Sequence, residues 1–149
     1  MPAGSSGIVV GVDGSGDSAQ ALRWAAREAA LRQVPLTVIT VHQPVVGYIG
    51  GVLDYPQEHS LTARLRDDVR EQVDEVIDRL GDTVPPQVNV DVVTGSPAEE
   101  LLAAAKDAEL LVVGSRGAGG FARLVMGSVS AQVSQHADCP VVVIPAARP

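Results

Sequence analysis

Lysine is nearly absent from this chain. In 149 residues it occurs once, at Lys106, and every other cationic side chain is an arginine. A Walker-type phosphate loop requires Gly-Lys-Ser/Thr, so that engine is excluded. Cysteine also occurs once, at Cys139, which excludes an internal disulfide framework and a cysteine-based zinc cluster. Cations are outnumbered, 11 Lys+Arg against 18 Asp+Glu, for a formal net charge of -7. Binding to duplex nucleic acid runs on clustered cations, so no nucleic-acid partner is expected. No run of ~18 apolar residues is present, so no membrane span is expected. The start, Met1 to Gly7, lacks the basic head and long apolar stretch of a signal peptide, which makes the cytoplasm the default compartment. There is no Gly-x-Ser-x-Gly elbow, no His-Glu-x-x-His and no pair of carboxylates beside the glycine-rich segment from Gly114 to Gly127. Phosphoryl transfer needs placed charges and metal ligands, so any such turnover should be slow and incidental.

What is present is a globular composition, 46% hydrophobic and 19% charged. The length suits one domain of about 100–150 residues, expected over residues 8–145 after a disordered tail at 1–7. Ile8 to Asp13 is a short apolar run ending in the turn signal Gly14-Ser15-Gly16, and reads as a buried strand. Asp17 or Ser18 can cap the helix that follows to about Arg32. Leu36 to Val41 reads as a second strand. The stretch Gln43 to His59 is apolar but broken by Gly47, Gly50 and Gly51. It reads as a long loop, either folded over its own domain or serving as a lid or partner surface. Leu61, Leu65, Val69, Val73, Val76, Ile77 and Leu80 mark an amphipathic helix stopped by Gly81. Val88, Val90 and Val92 alternate with Asn89 and Asp91, the pattern of a strand near a sheet edge. Ser96-Pro97-Ala98-Glu99 reads as a capping box opening a helix to about Ala108. Leu110 to Val113 is a fourth strand, Ser128 to about His136 a helix, and Val141 to Ile144 a fifth strand. Strands separated by helices cannot be hairpins, so the class is α/β, a single open parallel sheet with helices on both faces.

In such a sheet, ligands bind beyond the carboxyl ends of strands where the strand order reverses. Two strand ends carry glycine turns: Val12-Asp13-Gly14-Ser15-Gly16, and the segment opening at Gly114. Glycines there either let a ligand approach the backbone or simply turn strand into helix. The second segment has a specific spacing: Gly114, two residues, Gly117, nine residues, Gly127-Ser128. Ser128-Val129-Ser130 opens a helix, whose unpaired N–H groups and positive dipole end suit phosphate without lysine. The hydroxyls of Ser128 and Ser130 add neutral donors. Arg116 could neutralise a polyphosphate or be solvated, and Arg123 reads as solvated. Asp13 could accept from backbone N–H groups of its turn or from an adenine amine or ribose hydroxyl. His42 reads as a loop or packing residue rather than a catalyst. Cys139 reads as a small, buried apolar residue.

Those residues resemble the universal stress protein family. The resemblance lies in the spacing from Gly114 to Ser128, in Val9-Val10-Gly11-Val12-Asp13-Gly14-Ser15 and in Cys139-Pro140-Val141-Val142-Val143-Ile144-Pro145, and it extends from about Ile8 to Pro145. It implies a five-stranded parallel sheet of order 3-2-1-4-5, similar to adenine nucleotide α hydrolase-like folds, and membership of the ATP-binding branch. By the same resemblance Val12, Asp13 and Val41 border adenine and ribose, and Gly114 and Gly117 approach ribose and phosphate. Met126, Gly127, Ser128, Val129 and Ser130 hold the phosphates. Mg²⁺ or Mn²⁺ would be carried by the phosphates, with no dedicated protein metal site. The fifth strand, apolar throughout and at a sheet edge, invites pairing, and the resemblance implies a homodimer through it. The functional expectation is an ATP-binding, nucleotide-responsive stress regulator in which ligand shifts the population of loop conformations, with 43–59 as the responsive element. Rival expectations are a cyclic AMP or AMP module, a slow ATPase or phosphoryl-transfer enzyme, and a structural dimer with an empty site.

Overall fold

The computed structural model describes residues 7–43, 47–49, 52–54, 58–115 and 127–145. Strand β1 (Ile8–Val12) leads into α1 (Gly16–Arg32) and β2 (Leu36–His42). Then come β3 (Gly47–Ile49), β4 (Val52–Asp54), α2 (Glu58–Asp78), β5 (Val88–Thr94) and α3 (Pro97–Ala104). The chain closes with β6 (Leu110–Gly114), α4 (Ser128–His136) and β7 (Val141–Ile144). The main sheet has the order β5-β2-β1-β6-β7 with every pairing parallel. Counting its five strands in chain order, this is 3-2-1-4-5, as the resemblance implies.

Period-two alternation splits the sheet between two cores. Ile8, Val10 and Val12 of β1 face the same side as Val38, Val90 and Val112. There α1 lays down Ala21, Leu22, Ala25, Ala26 and Ala29, and α2 adds Val69 and Val73. The small alanines let α1 lie close to the strands, and Ala21, Ala25, Ala26 and Ala29 lose all solvent exposure. The other face gathers Val9, Ile39, Leu111 and Val113 beneath Ala98, Leu101 and Ala105 of α3 and Val133 of α4. Gly11 on this face lies under Leu101, whose two methyl carbons would stand 3.0 Å from an added Cβ. The central strands are apolar on both sides because both sides are covered, whereas β5 keeps Asp91 exposed at the sheet edge. Among the described residues, no helix is long and apolar enough to cross a membrane.

Several local expectations are corrected. Helix α1 is capped by Ser15, whose side chain accepts from Ser18 N–H, and not by Asp17 or Ser18. Ser18 is turned inward, and its hydroxyl accepts from Asp13 N–H at 3.2 Å. Ser96 is the N-cap of α3 but makes no side-chain cap bond, so the capping box does not close. The chain enters that helix through Gly95 at φ 151, with the Glu100 carboxylate folded over the glycine. Helix α3 ends at Ala104, short of Ala108. Gly7, expected in the tail, is buried, and its carbonyl accepts from Glu109 N–H at 2.9 Å. The stretch read as a long loop contains a hairpin, β3 against β4, with Tyr48 opposite Leu53 and Ile49 opposite Val52. Helix α2 starts at Glu58, so it takes in His59. Residues 1–6, 44–46, 50–51, 55–57, 116–126 and 146–149 lie outside the described residues.

Candidate functional site

The order of the sheet reverses at β1, which crosses over to β2 on one side while β6 joins on the other. Their pairings differ in length. The β1–β2 ladder runs from Ile8↔Leu36 to Val12↔Thr40, and β6–β7 runs on to Gly114↔Ile144. The β1–β6 ladder stops at Val10↔Val112, before either strand ends. The two central strands therefore part at their carboxyl ends, which is where a switch-point crevice forms.

The first glycine turn is built from its own side chains. Asp13 Oδ1 accepts from Ser15 N–H at 2.9 Å, closing an Asx turn, and Gly14 sits at φ +85, a backbone region an L side chain enters only with strain. So the turn-capping role weighed for Asp13 is in place, on an exposed residue. Thr40, 2% exposed, donates its hydroxyl to Val12 C=O at 2.8 Å and ties the end of β2 to the end of β1. Val12 and Val41 stand at the ends of these neighbouring strands, but their side chains join opposite cores, Val12 toward α1 and Val41 toward α3. His42 follows Val41, and its carbonyl accepts from Gly95 N–H at 3.0 Å.

The second glycine turn meets the first. A Cβ on Gly114 would lie 3.2 Å from the carbonyl carbon and oxygen of Asp17, in the first turn of α1. That close approach is a packing reason for the glycine, and it places both turns at one end of the sheet. Beyond it, Ser115 is 7% exposed, and its N–H donates to Ile144 C=O of β7 at 2.9 Å. Its carbonyl accepts from Gly127 N–H and, at 3.3 Å, from the Ser130 hydroxyl. Gly127 is the N-cap of α4 and contributes no side-chain cap bond. The first backbone bond of the helix is Ala131 N–H to Gly127 C=O at 3.0 Å. The N–H groups of Ser128, Val129 and Ser130 therefore have no acceptor within the helix, and the dipole end is positive. Ser128 is exposed and Val129 half-buried, while Ser130 is 2% exposed with its hydroxyl turned into the fold. Ser130 can thus offer a ligand its backbone N–H, with its hydroxyl already committed.

Gly117 and Met126, together with Arg116 and Arg123, fall outside the described residues. Among the described residues no group of three or more His, Cys, Asp or Glu side chains is placed to hold a metal ion. Lys106 lines a cavity of about 290 Å³ with Gly7, Pro35 and Thr37, at the opposite end of the strands from this crevice. Serine chemistry at the Ser115–Ser130 junction was missed from sequence, because residue type names a donor without saying which way it points.

The model of the universal stress protein family matches residues 6–145. The chain belongs to that family. It is similar to a universal stress protein of Mycobacterium tuberculosis strain H37Rv, 39% identical over 152 residues, covering 97% of this chain and 50% of that protein. The chain thus spans about half the length of the curated relatives it matches. Among solved structures, a universal stress protein in complex with cAMP shares 27% identity at TM-score 0.68, covering 93% of this chain and 95% of that one. The universal stress protein from Archaeoglobus fulgidus in complex with dAMP shares 27% identity at TM-score 0.63, covering 93% and 96%.

Proposed function

We propose that this chain binds ATP in the crevice between the ends of β1 and β6 and acts as a nucleotide-responsive stress regulator. The observation that carries the reading is the early parting of β1 and β6, with an uncapped helix start beside it. Asp13 and the ends of β1 and β2 at Val12 and Val41 border adenine and ribose. Gly114 and Gly117 approach the sugar and first phosphate, while Met126, Gly127 and the N–H groups of Ser128, Val129 and Ser130 receive the phosphates. Backbone N–H groups on a dipole end replace the missing lysine. Mg²⁺ or Mn²⁺ would accompany the phosphates and supply charge neutralisation there. The site holds its ligand by fixed backbone donors.

A second reading has support of its own. The cAMP and dAMP complexes of family members favour a nucleoside monophosphate. The start of α4 favours a longer phosphate chain, because it adds donors that a monophosphate leaves unused. A homodimer through β7 completes the proposal: Val141, Val142, Val143 and Ile144 are only half-buried, at the open edge of the sheet. Such an edge invites pairing with a second copy.

Competition among ATP, AMP and cAMP, run on the wild type and on the double variant Gly127→Ala, Ser128→Ala, tests the site. Gly127 has φ -74, so alanine fits its backbone. ATP affinity should fall about tenfold in the variant, the scale of the single charge-assisted hydrogen bond that the exposed Ser128 hydroxyl would give a phosphate, since the backbone N–H donors remain. Wild-type ATP affinity in that variant would put the phosphates elsewhere.

A further inference from the structure

We infer that Ser130 is a positioning residue that selects for the polyphosphate end of the ligand. This rests on the ATP reading of the crevice. Its hydroxyl is buried, with the residue 2% exposed, and has Gly127 C=O at 3.0 Å and Ser115 C=O at 3.3 Å as acceptors. One hydroxyl carries one proton, so the two carbonyls share it. Gly127 N–H also donates to Ser115 C=O. The result is a closed ring of Ser115, Gly127 and Ser130 that joins the end of β6 to the start of α4. Ser115 N–H, donating to Ile144 C=O at 2.9 Å, anchors that ring to β7.

The ring sets the direction of the first turn of α4. That turn holds the three N–H groups that have no acceptor within the helix, and directed donors lose strength steeply as they swing off line. Removing the hydroxyl leaves the backbone bond from Gly127 to Ser115, so the fold persists while the helix start is free to tilt. The outer phosphates depend on that direction. Adenine, ribose and the first phosphate, held at Asp13 and the ends of β1, β2 and β6, do not.

The test compares ATP·Mg²⁺ and AMP affinities by titration calorimetry in wild type, Ser130→Ala and Ser134→Ala. Ser134 donates to Ser130 C=O at 2.7 Å from an exposed position on the same helix, and so serves as the control. In Ser130→Ala, ATP affinity should fall about tenfold, the worth of one hydrogen bond, and AMP affinity should stay within about twofold. In Ser134→Ala neither should move. A purely structural role would lower both affinities of Ser130→Ala together, and that result overturns the inference, as does an unchanged ATP affinity. Ser130→Cys fills the same space with a weaker donor and should show the same selective loss, which covers the case of a poorly folded alanine variant. Failure of the underlying reading looks different: the folded wild type would bind neither nucleotide, and the inference would fall with it.

Discussion

Replacing Gly114 with alanine separates the two reasons for a glycine at the end of β6. The added Cβ would sit 3.2 Å from both the carbonyl carbon and the oxygen of Asp17, and 3.4 Å from its Cβ. Ordinary carbon contacts lie near 3.5–4.0 Å, so β6 or the first turn of α1 must move by a few tenths of an ångström. The obstructing atoms are backbone, which cannot rotate away. They belong to a helix held by Ser15 and Ser18, and Ser115, next to Gly114, is tied to β7. Overpacking of this kind costs roughly 1–3 kcal/mol. The displacement is small and lies at an element's end, so about 1–2 kcal/mol is expected. For a chain this long that lowers Tm by about 3–8 °C. The assay is denaturant and thermal unfolding of the ligand-free protein. Asp17→Ala should not restore the loss, because the close atoms are mostly main chain. Wild-type Tm and denaturation midpoint in Gly114→Ala would refute the packing argument and leave ligand approach as the glycine's sole reason.

Two further outcomes follow from the geometry. Thr40→Val keeps the shape but removes the 2.8 Å bond to Val12 C=O; a loss of about 1–2 kcal/mol is expected from denaturant midpoints, and an unchanged midpoint would show that this tie adds nothing. Burial raises the Cys139 thiol above its usual range, and the charge of Asp138 adds to the rise, while a backbone hydrogen bond from Leu111 lowers it. Less thiolate is then present at pH 8, so iodoacetamide should label the folded chain more slowly than the urea-unfolded chain, and Asp138→Asn should label faster. Equal rates in all three would contradict that account.

The parts of the fold that sequence displayed well are those fixed by burial on both sides. Runs such as Ile8-Val9-Val10 and Leu110-Leu111-Val112-Val113 can be little else in a chain of alternating strands and helices. Right-handed crossovers leave few topologies, and it was the family resemblance that implied the order among them. Helix ends were less legible. Ser15, Asp17 and Ser18 can each cap a helix, and what selects Ser15 is that Ser18 turns inward and accepts from Asp13 N–H. The β3–β4 hairpin was hidden by its glycines, which read as breaks; two apolar pairs flanking Gly50-Gly51 are the signal that finds it. At the site, the Gly114 to Ser128 spacing pointed to the end of the sheet where β1 and β6 part. The inward turn of Ser130 and the contact of Gly114 with Asp17 depend on packing between segments far apart in the chain, which no local pattern encodes.

The central claim is that the crevice between β1 and β6 holds an adenine nucleotide. Calorimetric titration of the folded chain with ATP·Mg²⁺, paired with a melting curve, tests it most directly. The account predicts saturable binding of one nucleotide per chain and a Tm that climbs with ligand concentration, as binding to the native state alone requires. No heat of binding and no change in Tm at about 1 mM ATP·Mg²⁺, in a protein that melts cooperatively, would contradict it.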